Sequence, residues 1–228
     1  MSQLEHLQTY FGHLRGIPLL KEMVRVQFKG RSAVLSSFGA ESSLLLAMVA
    51  KVNRDLPVIF LNTGKHFEEC LEYKNRLVKE LKLTHVIEAG PDEKSLKEED
   101  PLGDLWEKDP DSCCRLRKTW PLSYAVQKHK IKALITGRKR FQTPERQNLQ
   151  SVEQNAQGIF KINPLAFFTE KEVKEHLDKV PLPEHPLIKK GYLSIGCAPC
   201  TSPFCQEGDP RTGRWPQSEE KTECGIHL

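Results

Sequence analysis

The most informative stretch of this chain reads Ser32-Ala33-Val34-Leu35-Ser36-Ser37-Phe38-Gly39-Ala40-Glu41-Ser42-Ser43 and runs directly into the apolar residues 44–52. Residues 32–36 are a short apolar run, which predicts a buried strand, and residues 44–52 have the character of a helix. Between them lies a loop rich in serine and glycine. Such a loop presents backbone N–H groups and the positive end of a helix to an anion. The stretch therefore predicts a strand–loop–helix unit with an anion site at its turn.

Short apolar runs and helical spacing alternate along the rest of the chain. Further strands are predicted at 57–61, 84–87, 132–136 and 160–165, and helices at 67–81, 112–129 and 170–179. Thr169 and Glu172 have the spacing of a capping box for the last of these helices, and residues 1–30 have a helical, polar character. This alternation predicts an α/β fold, a single domain whose mostly parallel, twisted sheet carries helices on both faces.

The texture of the sequence changes after residue 181, where Pro, Gly and Cys become frequent and the periodicity ends. We expect residues 181–204 to form a loop that returns to the domain, and residues 205–228 to form a flexible C-terminal tail. The length of 228 residues suits one domain with such a tail. The predicted division is therefore a domain over 1–204 and a tail over 205–228.

The composition argues against a membrane protein, because the chain has no run of about 18 apolar residues. Residues 1–11 carry charges and lack the apolar core of a secretory signal, so we expect a cytoplasmic protein. In that compartment, seven cysteines are more often metal ligands, redox groups or core residues than disulfides.

The net charge of +4 is unevenly distributed. Residues 92–111 hold nine acids and three bases, whereas residues 112–146 hold ten bases and one acid. The basic segment suits a compact anionic ligand or an iron–sulfur cluster with net negative charge. A solvated charged face and nucleic-acid binding are the alternatives, but the segment lacks the interleaved aromatic residues of a nucleic-acid site. We therefore expect neither nucleic acid nor a membrane as a partner.

Three of the predicted strands end in small residues, hydroxyls or cations. One end is the loop at 36–43, and the others are Asn62-Thr63-Gly64 and Gly137-Arg138-Lys139-Arg140-Phe141-Gln142. Open parallel sheets bind ligands at the carboxyl ends of their strands, which meet at one edge. The combination predicts a site for a nucleotide that carries phosphate or sulfate, although the first loop is neither a Walker A motif nor a dinucleotide fingerprint.

Four cysteines form two close pairs, Cys113-Cys114 and Cys197-Ala198-Pro199-Cys200. Two such pairs favour zinc or an iron–sulfur cluster. Adjacent cysteines reach the separate irons of a cubane more easily than one small ion, so the spacing favours the cluster. Burial of these cysteines as small apolar residues is the remaining alternative. Lys118 follows at a spacing that places it on the cluster side of its helix, where it would offset the negative charge.

A further cysteine stands four residues before the end, in Glu223-Cys224-Gly225-Ile226-His227-Leu228, and Arg211 and Arg214 precede it. Thiolate is the attacking form of cysteine, and nearby cations lower the pKa of a thiol. We predict a tail that folds over a bound anion, holds it with arginines and attacks it with Cys224. An inert terminal cysteine is the alternative. For Cys70 and Cys205 we predict no role in the site.

Together these residues resemble the assimilatory sulfonucleotide reductases, in particular the iron–sulfur adenylylsulfate (APS) reductases of bacteria and plants. The most specific motifs are Cys113-Cys114-x-x-x-Lys118, Gly191-Tyr192-x-Ser194-Ile195-Gly196-Cys197-x-Pro199-Cys200-Thr201 and Glu223-Cys224-Gly225-x-His227. The degenerate PP-loop at 36–42 and the loop Gly137-x-Lys139-Arg140-x-Gln142 support them. The resemblance covers the chain from about residue 32 to its end and implies an adenine-nucleotide α-hydrolase-like fold of the PP-loop type.

The resemblance also implies an activity, the thioredoxin-dependent reduction of APS to sulfite and AMP in assimilatory sulfate reduction. Cys224 would attack the sulfur of APS and release AMP, and reduced thioredoxin would then release sulfite from the resulting S-sulfocysteine. A [4Fe–4S] cluster with an electrostatic and structural role would be bound by Cys113, Cys114, Cys197 and Cys200. The residues implied to contact the substrate are Ser36, Ser37, Gly39, Leu61, Gly64, Lys118, Gly137, Lys139, Arg140, Arg146, Arg211, Arg214 and His227.

The chain departs from the family pattern at three places outside the cysteines, one of which is Lys139-Arg140 in place of the family's arginine pair. Asn62 stands where the family usually has the Asp of Leu-Asp-Thr-Gly, and Phe38 stands where a common PP-loop has Ser. We still expect an active enzyme. The rival interpretations are a reductase of 3′-phosphoadenylylsulfate (PAPS) or of both nucleotides, a PP-loop RNA thiolase or ligase, and a zinc-containing nucleic-acid-binding module. The resemblance leaves room for a homo-oligomer.

Overall fold

A computed structural model describes residues 1–203, 213–216 and 224–226. At its centre is a six-stranded sheet whose strands lie in the order β3-β2-β1-β4-β6-β5. The strands are β1 (Ser32–Leu35), β2 (Val58–Leu61), β3 (Val86–Ala89), β4 (Ala133–Ile135), β5 (Val152–Gln154) and β6 (Phe160–Ile162). β1 is wholly buried between β2 and β4, as its apolar sequence predicts.

The predicted parallel sheet is confirmed for five of the six strands. β1 pairs in parallel with β2 and β4, and the parallel pairing continues to β3 on one side and β6 on the other. The exception is β5, which runs antiparallel to β6 and pairs Val152 with Ile162. The sequence prediction missed β5 because its three residues are too few to show alternation, and only Val152 is buried.

Helices cover both faces of the sheet, as predicted. They are α1 (Gln3–Phe11), α2 (Gly16–Glu22), α3 (Ser42–Val52), α4 (Glu68–Leu81), α5 (Glu93–Glu99), α6 (Leu105–Lys108), α7 (Pro110–Cys114), α8 (Trp120–Lys128) and α9 (Glu170–Asp178). Buried side chains of α1, α2, α3, α4 and α9 share one core with the sheet, whereas α8 packs on the opposite face. The capping box of Thr169 and Glu172 at the start of α9 is also confirmed.

The helix predicted at 112–129 is present with a widened turn in its middle. α7 continues through a π turn, Arg115–Thr119, into α8, and the Trp120 N–H donates to the Arg115 carbonyl five residues earlier. Pro121 in the first turn of α8 has no N–H, and a proline ring collides with the carbonyl four residues before it in a regular helix. The wider turn relieves that collision and directly follows the pair Cys113-Cys114.

The N-terminal segment contributes to the core despite its polar composition. α2 runs into a second π turn, Met23–Gln27, and the chain then buries Phe28 beside β6. The Phe28 ring lies 5.0 Å from that of Phe160, centroid to centroid. The segment therefore closes one side of the sheet.

The predicted loop at 181–203 contains two short 3₁₀ turns, Pro186–Lys190 and Ala198–Cys200. Residues 213–216 lie against it, because Thr201 forms a β-bridge with Arg214 and the Ser202 N–H donates to the Gly213 carbonyl. The division into a domain over 1–204 and a flexible tail over 205–228 stays a prediction. Among the described residues, no helix has both the length and the apolar character needed to cross a bilayer.

Replacing Phe28 tests whether the N-terminal segment belongs to the core. Phe28→Ala should lower the free energy of unfolding by about 3–5 kcal/mol, because it leaves a cavity beside Phe160. Urea denaturation measures this value. Val26→Ala is the matched control, because Val26 lies in the preceding turn and is 62% exposed; its effect should stay within about 0.5 kcal/mol. Equal effects of the two variants would contradict this description of the core.

Candidate active site

The loop between β1 and α3 is shaped by its own side chains. The Ser36 hydroxyl accepts a hydrogen bond from the Phe38 N–H at 3.1 Å, and the Ser37 hydroxyl accepts one from the Gly39 N–H at 3.3 Å. Phe38 has a positive φ of 52° and is fully buried, with its ring edge-on to that of Phe60 at 5.7 Å. The phenylalanine that departs from the family pattern therefore anchors the loop to the core, and its strained backbone is held by that packing.

The loop after β2 forms the second wall of the site. Gly64 has a φ of 69°, which favours glycine, and its N–H donates to the Asn62 side-chain oxygen at 3.2 Å. His66 folds back so that its Nε2 lies 3.0 Å from the Leu61 carbonyl oxygen and 3.3 Å from the Thr63 nitrogen. Burial lowers the pKa of His66. The loop is thus a compact turn with the backbone of Leu61 and Gly64 at the sheet edge.

Asn62 has a partner that explains the amide at this position. Its Nδ2 donates to a Glu88 carboxylate oxygen at 3.2 Å, and Glu88 also pairs with Lys74. The hydrogen bond from Lys74, and to a smaller extent that from Asn62, holds the pKa of Glu88 below its usual value. An aspartate at position 62 would place a second carboxylate against Glu88, so the amide suits this neighbour.

The loop after β4 brings its cations to the first loop. Lys139 is buried, and its Nζ lies 2.6 Å from a Glu41 carboxylate oxygen and 3.1 Å from the Gly137 carbonyl. Burial lowers the pKa of Lys139, and the Glu41 carboxylate opposes that shift. Gln142 joins the group by donating to Glu41 at 3.1 Å and accepting from Arg146 Nη1 at 2.5 Å. Two of the predicted anion-binding cations therefore share one carboxylate–amide network.

Arg140 is directed elsewhere. Its guanidinium stacks on the Phe167 ring at 3.9 Å from the centroid, and its Nε donates to the Leu149 carbonyl at 2.8 Å. The structure thus joins Lys139 and Arg146 but holds Arg140 apart from them.

The two cysteine pairs come together from distant parts of the chain. All four are buried and line one small cavity, whose wall also includes Lys65, Trp106, Pro110, Arg117 and Lys118. Each of the six described cysteines is a free thiol. Burial raises the pKa of the Cys113 thiol to about 11, with a further contribution from its neighbour Cys114. The predicted convergence of Cys113, Cys114, Cys197 and Cys200 is therefore present in the geometry.

Lys118 lies on the cavity side of its helix, as predicted. Its Nζ is 3.7 Å from Cys114 Sγ. Burial works against the charged ammonium, but the neighbouring sulfur atoms, those of Cys197 and Cys224 first, outweigh it and raise the pKa of Lys118. The charge of Lys118 therefore interacts with a cysteine of each pair and with the C-terminal thiol.

The described parts of the C-terminal segment lie over this cavity. The backbone N–H of Trp215 donates to the Cys200 carbonyl at 2.9 Å. Cys224 packs against the buried side chains of Cys197, Cys200 and Trp215. Ile226 packs on the face of the sheet that α8 covers. The Cys224 thiol is partly exposed. The last described residues therefore hold a partly accessible thiol beside the buried ones.

Arg214 approaches the same region. Its guanidinium stacks on the Trp215 ring at 4.4 Å from the centroid. It also occupies the space in which a side chain at Gly196 would lie. The predicted residues Arg211 and His227, and also Cys205, lie outside the described residues.

Sequence reasoning missed four residues that complete the site. Glu41 binds Lys139, and Thr63 places its hydroxyl 3.4 Å from Cys197 Sγ. Arg117 in the cavity wall forms a buried ion pair with Asp100. Glu41 and Thr63 stood inside motifs already singled out, whereas Asp100 was hidden in the acidic run, where nothing marks one acid as buried.

The donor set fits a metal–sulfur group better than a single ion. Four buried thiols of two close pairs are the ligands that iron–sulfur clusters use, with each thiolate on its own iron. Within residues 1–203, 213–216 and 224–226, no three His, Cys, Asp or Glu side chains are close enough to bind one metal ion. A cubane does not require that closeness, so the cysteines are compatible with it.

A serine- and glycine-containing loop at the carboxyl edge of a parallel sheet, with cations from the neighbouring strand ends, is the architecture of the PP-loop class of adenine-nucleotide proteins. Residues 31–203 match the family described as "Phosphoadenosine phosphosulfate reductase domain". The chain belongs to this family of sulfonucleotide reductases, which are oxidoreductases, and among them it is similar to the APS reductases.

Three relatives illustrate this. A Mesorhizobium japonicum protein named adenosine 5′-phosphosulfate reductase is 44% identical over 97% of this chain and 86% of its own length. A Gloeobacter violaceus protein named phosphoadenosine 5′-phosphosulfate reductase is 38% identical over 99% of this chain and 94% of its own. The crystal structure of the PAPS reductase of Candida auris, a phosphate complex, has a TM-score of 0.73 at 25% identity and covers 89% of this chain and 98% of that one.

The pairing of Asn62 with Glu88 predicts a charge-dependent effect of restoring the family aspartate. Asn62→Asp should lower the free energy of unfolding at neutral pH by up to about 1 kcal/mol, because it replaces a hydrogen bond with repulsion at a partly exposed site. Urea denaturation of the single variant and of Asn62→Asp in a Glu88→Gln background measures the interaction. The loss should be mostly absent in the second background, where an amide again faces a carboxylate. The same loss in both backgrounds would refute the pairing.

Proposed function

We propose that this protein reduces APS to sulfite and AMP, with Cys224 as the nucleophile and reduced thioredoxin as the electron donor. The observation that supports this most directly is the position of Cys224, a partly exposed thiol that packs against Cys197, Cys200 and Trp215 and interacts electrostatically with Lys118. The relatives named APS reductase at 38–44% identity support the same substrate. A thiol reductant accords with a cytoplasmic protein, since that compartment keeps thiols reduced.

The nucleotide is proposed to lie along the carboxyl edge of the sheet. The loop of Ser36, Ser37 and Gly39 would receive phosphate oxygens through its N–H groups. The backbone at Leu61 and Gly64 would line the adenosine. On this proposal Gly137, Lys139, Arg140, Arg146, Arg211, Arg214 and His227 complete the substrate contacts. The Glu41 carboxylate keeps the buried Lys139 paired before the substrate arrives. Lys139 would have to leave this carboxylate in order to bind the anion.

In the first step the Cys224 thiolate attacks the sulfur of the APS sulfuryl group. The bond from that sulfur to the bridging oxygen breaks, its electron pair leaves with AMP, and Cys224 becomes S-sulfocysteine. The negative sulfuryl oxygens repel a thiolate, so cations on those oxygens lower the barrier. Lys118 is positioned for this role, because it is buried, charged and close to Cys224. No general base is needed once the thiol has ionised.

In the second step a thiolate of reduced thioredoxin attacks Cys224 Sγ of the S-sulfocysteine. The sulfur–sulfur bond breaks, sulfite leaves, and a mixed disulfide joins the two proteins. The second thiol of thioredoxin then displaces Cys224, and two electrons have passed from the dithiol to the sulfur that leaves as sulfite. The tail that carries Cys224, assigned here to residues 205–228, must expose the thiol for this exchange.

Cys113, Cys114, Cys197 and Cys200 are proposed to hold a [4Fe–4S] cluster. When bound, it supplies a fixed negative charge that holds Lys118 in place and ties the two cysteine pairs together. Lys65 and Lys118 in the cavity wall are cations suited to that charge.

PAPS is the second candidate substrate. The observation that favours it is the Gloeobacter violaceus relative named PAPS reductase, which is 38% identical over nearly the whole chain. Parallel assays of sulfite and AMP release from APS and PAPS, with thioredoxin under anaerobic conditions, separate the two. Turnover of APS alone supports the proposal, whereas comparable rates would indicate a permissive pocket.

Replacing the nucleophile should separate binding from chemistry. Cys224→Ser should abolish sulfite and AMP release, because a serine hydroxyl does not ionise at neutral pH, while AMP affinity stays within about twofold. Anaerobic product assays and calorimetry with AMP measure the two effects. Cys205→Ser, the other cysteine of residues 205–228, is the matched control and should retain activity. Turnover by Cys224→Ser would exclude the proposed mechanism.

Removing one cluster ligand should remove the iron. Cys113→Ser, purified without oxygen, should lack the brown chromophore and most of the iron and sulfide of the unsubstituted protein, because a serine oxygen is a poor ligand for the cluster. Iron and sulfide analysis and the visible spectrum measure this. Cys70→Ser is the control and should keep the chromophore. A colourless unsubstituted protein prepared anaerobically would count against the cluster itself.

A further inference from the structure

The loop after β2 is tied to the thiol cavity at three points. The Thr63 hydroxyl lies 3.4 Å from Cys197 Sγ, and the Ala198 N–H donates to the Lys65 carbonyl at 2.7 Å. The third tie comes from the helix of the other cysteine pair, where Arg117 Nη1 donates to the Thr63 carbonyl at 2.8 Å. The same short loop therefore contacts both cysteine-bearing segments.

Arg117 is held in this position by Asp100. Its Nε and Nη2 lie 3.2 and 2.5 Å from one Asp100 carboxylate oxygen, and the other oxygen accepts the Leu105 N–H at 3.0 Å. The two side chains are 8% and 0% exposed. A buried guanidinium with both a carboxylate and a carbonyl partner has one fixed orientation. Nη1 also lies 3.6 Å from the point where a side chain on Gly64 would begin, directly against the loop.

We propose that Arg117, oriented by Asp100, is a positioning residue that fixes the loop 62–64 against the thiol cavity. The inference rests on the proposed function, because it takes that loop to line the adenosine and that cavity to hold the cluster. Arg117 touches neither the nucleotide nor the sulfur in this role. It couples the loop to the cavity, because the loop keeps its conformation as long as both cysteine-bearing segments stay in place.

Thermodynamic reciprocity gives the proposal a measurable form. If the assembled cavity improves nucleotide affinity by some factor, bound nucleotide must stabilise the assembled cavity by the same factor. If the cavity must open before iron leaves, a more stable assembled cavity releases iron more slowly, so AMP should slow the loss of iron. Arg117→Lys keeps the positive charge but loses the fork that reaches Asp100 and Thr63 together, so it should reduce both effects.

The test uses the iron-loaded full chain with Cys224→Ser, which prevents turnover. The dissociation constant of AMP is measured by calorimetry, and the rate of iron release to a chelator is measured with and without saturating AMP. Arg117→Lys should weaken AMP binding roughly tenfold, as expected for the loss of a charged hydrogen bond. The protection of iron by AMP should fall as well. Arg115→Lys is the matched control, because Arg115 is exposed on the same helix, and it should change neither value.

Asp100→Asn provides a second variant in case Arg117→Lys loses iron during purification. Asn has one acceptor oxygen where Asp100 uses two, so it cannot accept from both Arg117 and the Leu105 N–H. The orientation of Arg117 should weaken, and both values should shift in the same direction as in Arg117→Lys. Unchanged AMP affinity and unchanged protection in a variant that retains iron would overturn the positioning role. So would a lower melting temperature alone, which is the signature of a purely structural pair. Failure of the unsubstituted protein to bind AMP would instead overturn the proposed function.

Discussion

Four thiols from two distant segments must be buried together beside the carboxyl edge of the sheet, and the surrounding structure is arranged around that constraint. The helix of Cys113-Cys114 widens into a π turn before Pro121, and a 3₁₀ turn holds the Cys197–Cys200 pair. The loop after β2 bonds to both segments. The cavity depends on three segments that are distant in the sequence, so the site follows from the tertiary fold rather than from any one motif.

Local sequence signals predicted the parts of the fold that local interactions determine. The apolar runs at 32–36 and 57–61 became neighbouring parallel strands, and the capping box at Thr169 began a helix where expected. β5 was missed because a strand of three residues is defined by its partner and not by its own pattern. The short helices α5 and α6 were missed because neither contains a buried residue. The sequence of α5 is nearly all polar, and the four residues of α6 are too few to show helical periodicity.

The candidate site shows the same division. The cysteines, Lys118 and Lys139 were predictable because their residue types and spacing report their chemistry. Asp100 was not, because burial of one acid out of nine depends on Arg117 lying opposite it in the folded chain. The positive charge of the basic segment, residues 112–146, is also partly neutralised, because Arg138 and Lys139 are paired with Glu153 and Glu41. Linear charge counts miss this neutralisation because the acids come from other parts of the chain.

The contact between Arg214 and Gly196 links the residue at position 196 to the placement of residues 213–216. The guanidinium fills the volume that any side chain at position 196 would require. A side chain at position 196 would therefore require the guanidinium, the far end of a flexible side chain, to move away from this loop. Gly196→Ala would displace the arginine side chain without altering a thiol or a charge. The change would show how much the stacking of Arg214 on Trp215 contributes to holding residues 213–216 against the loop of Cys197 and Cys200.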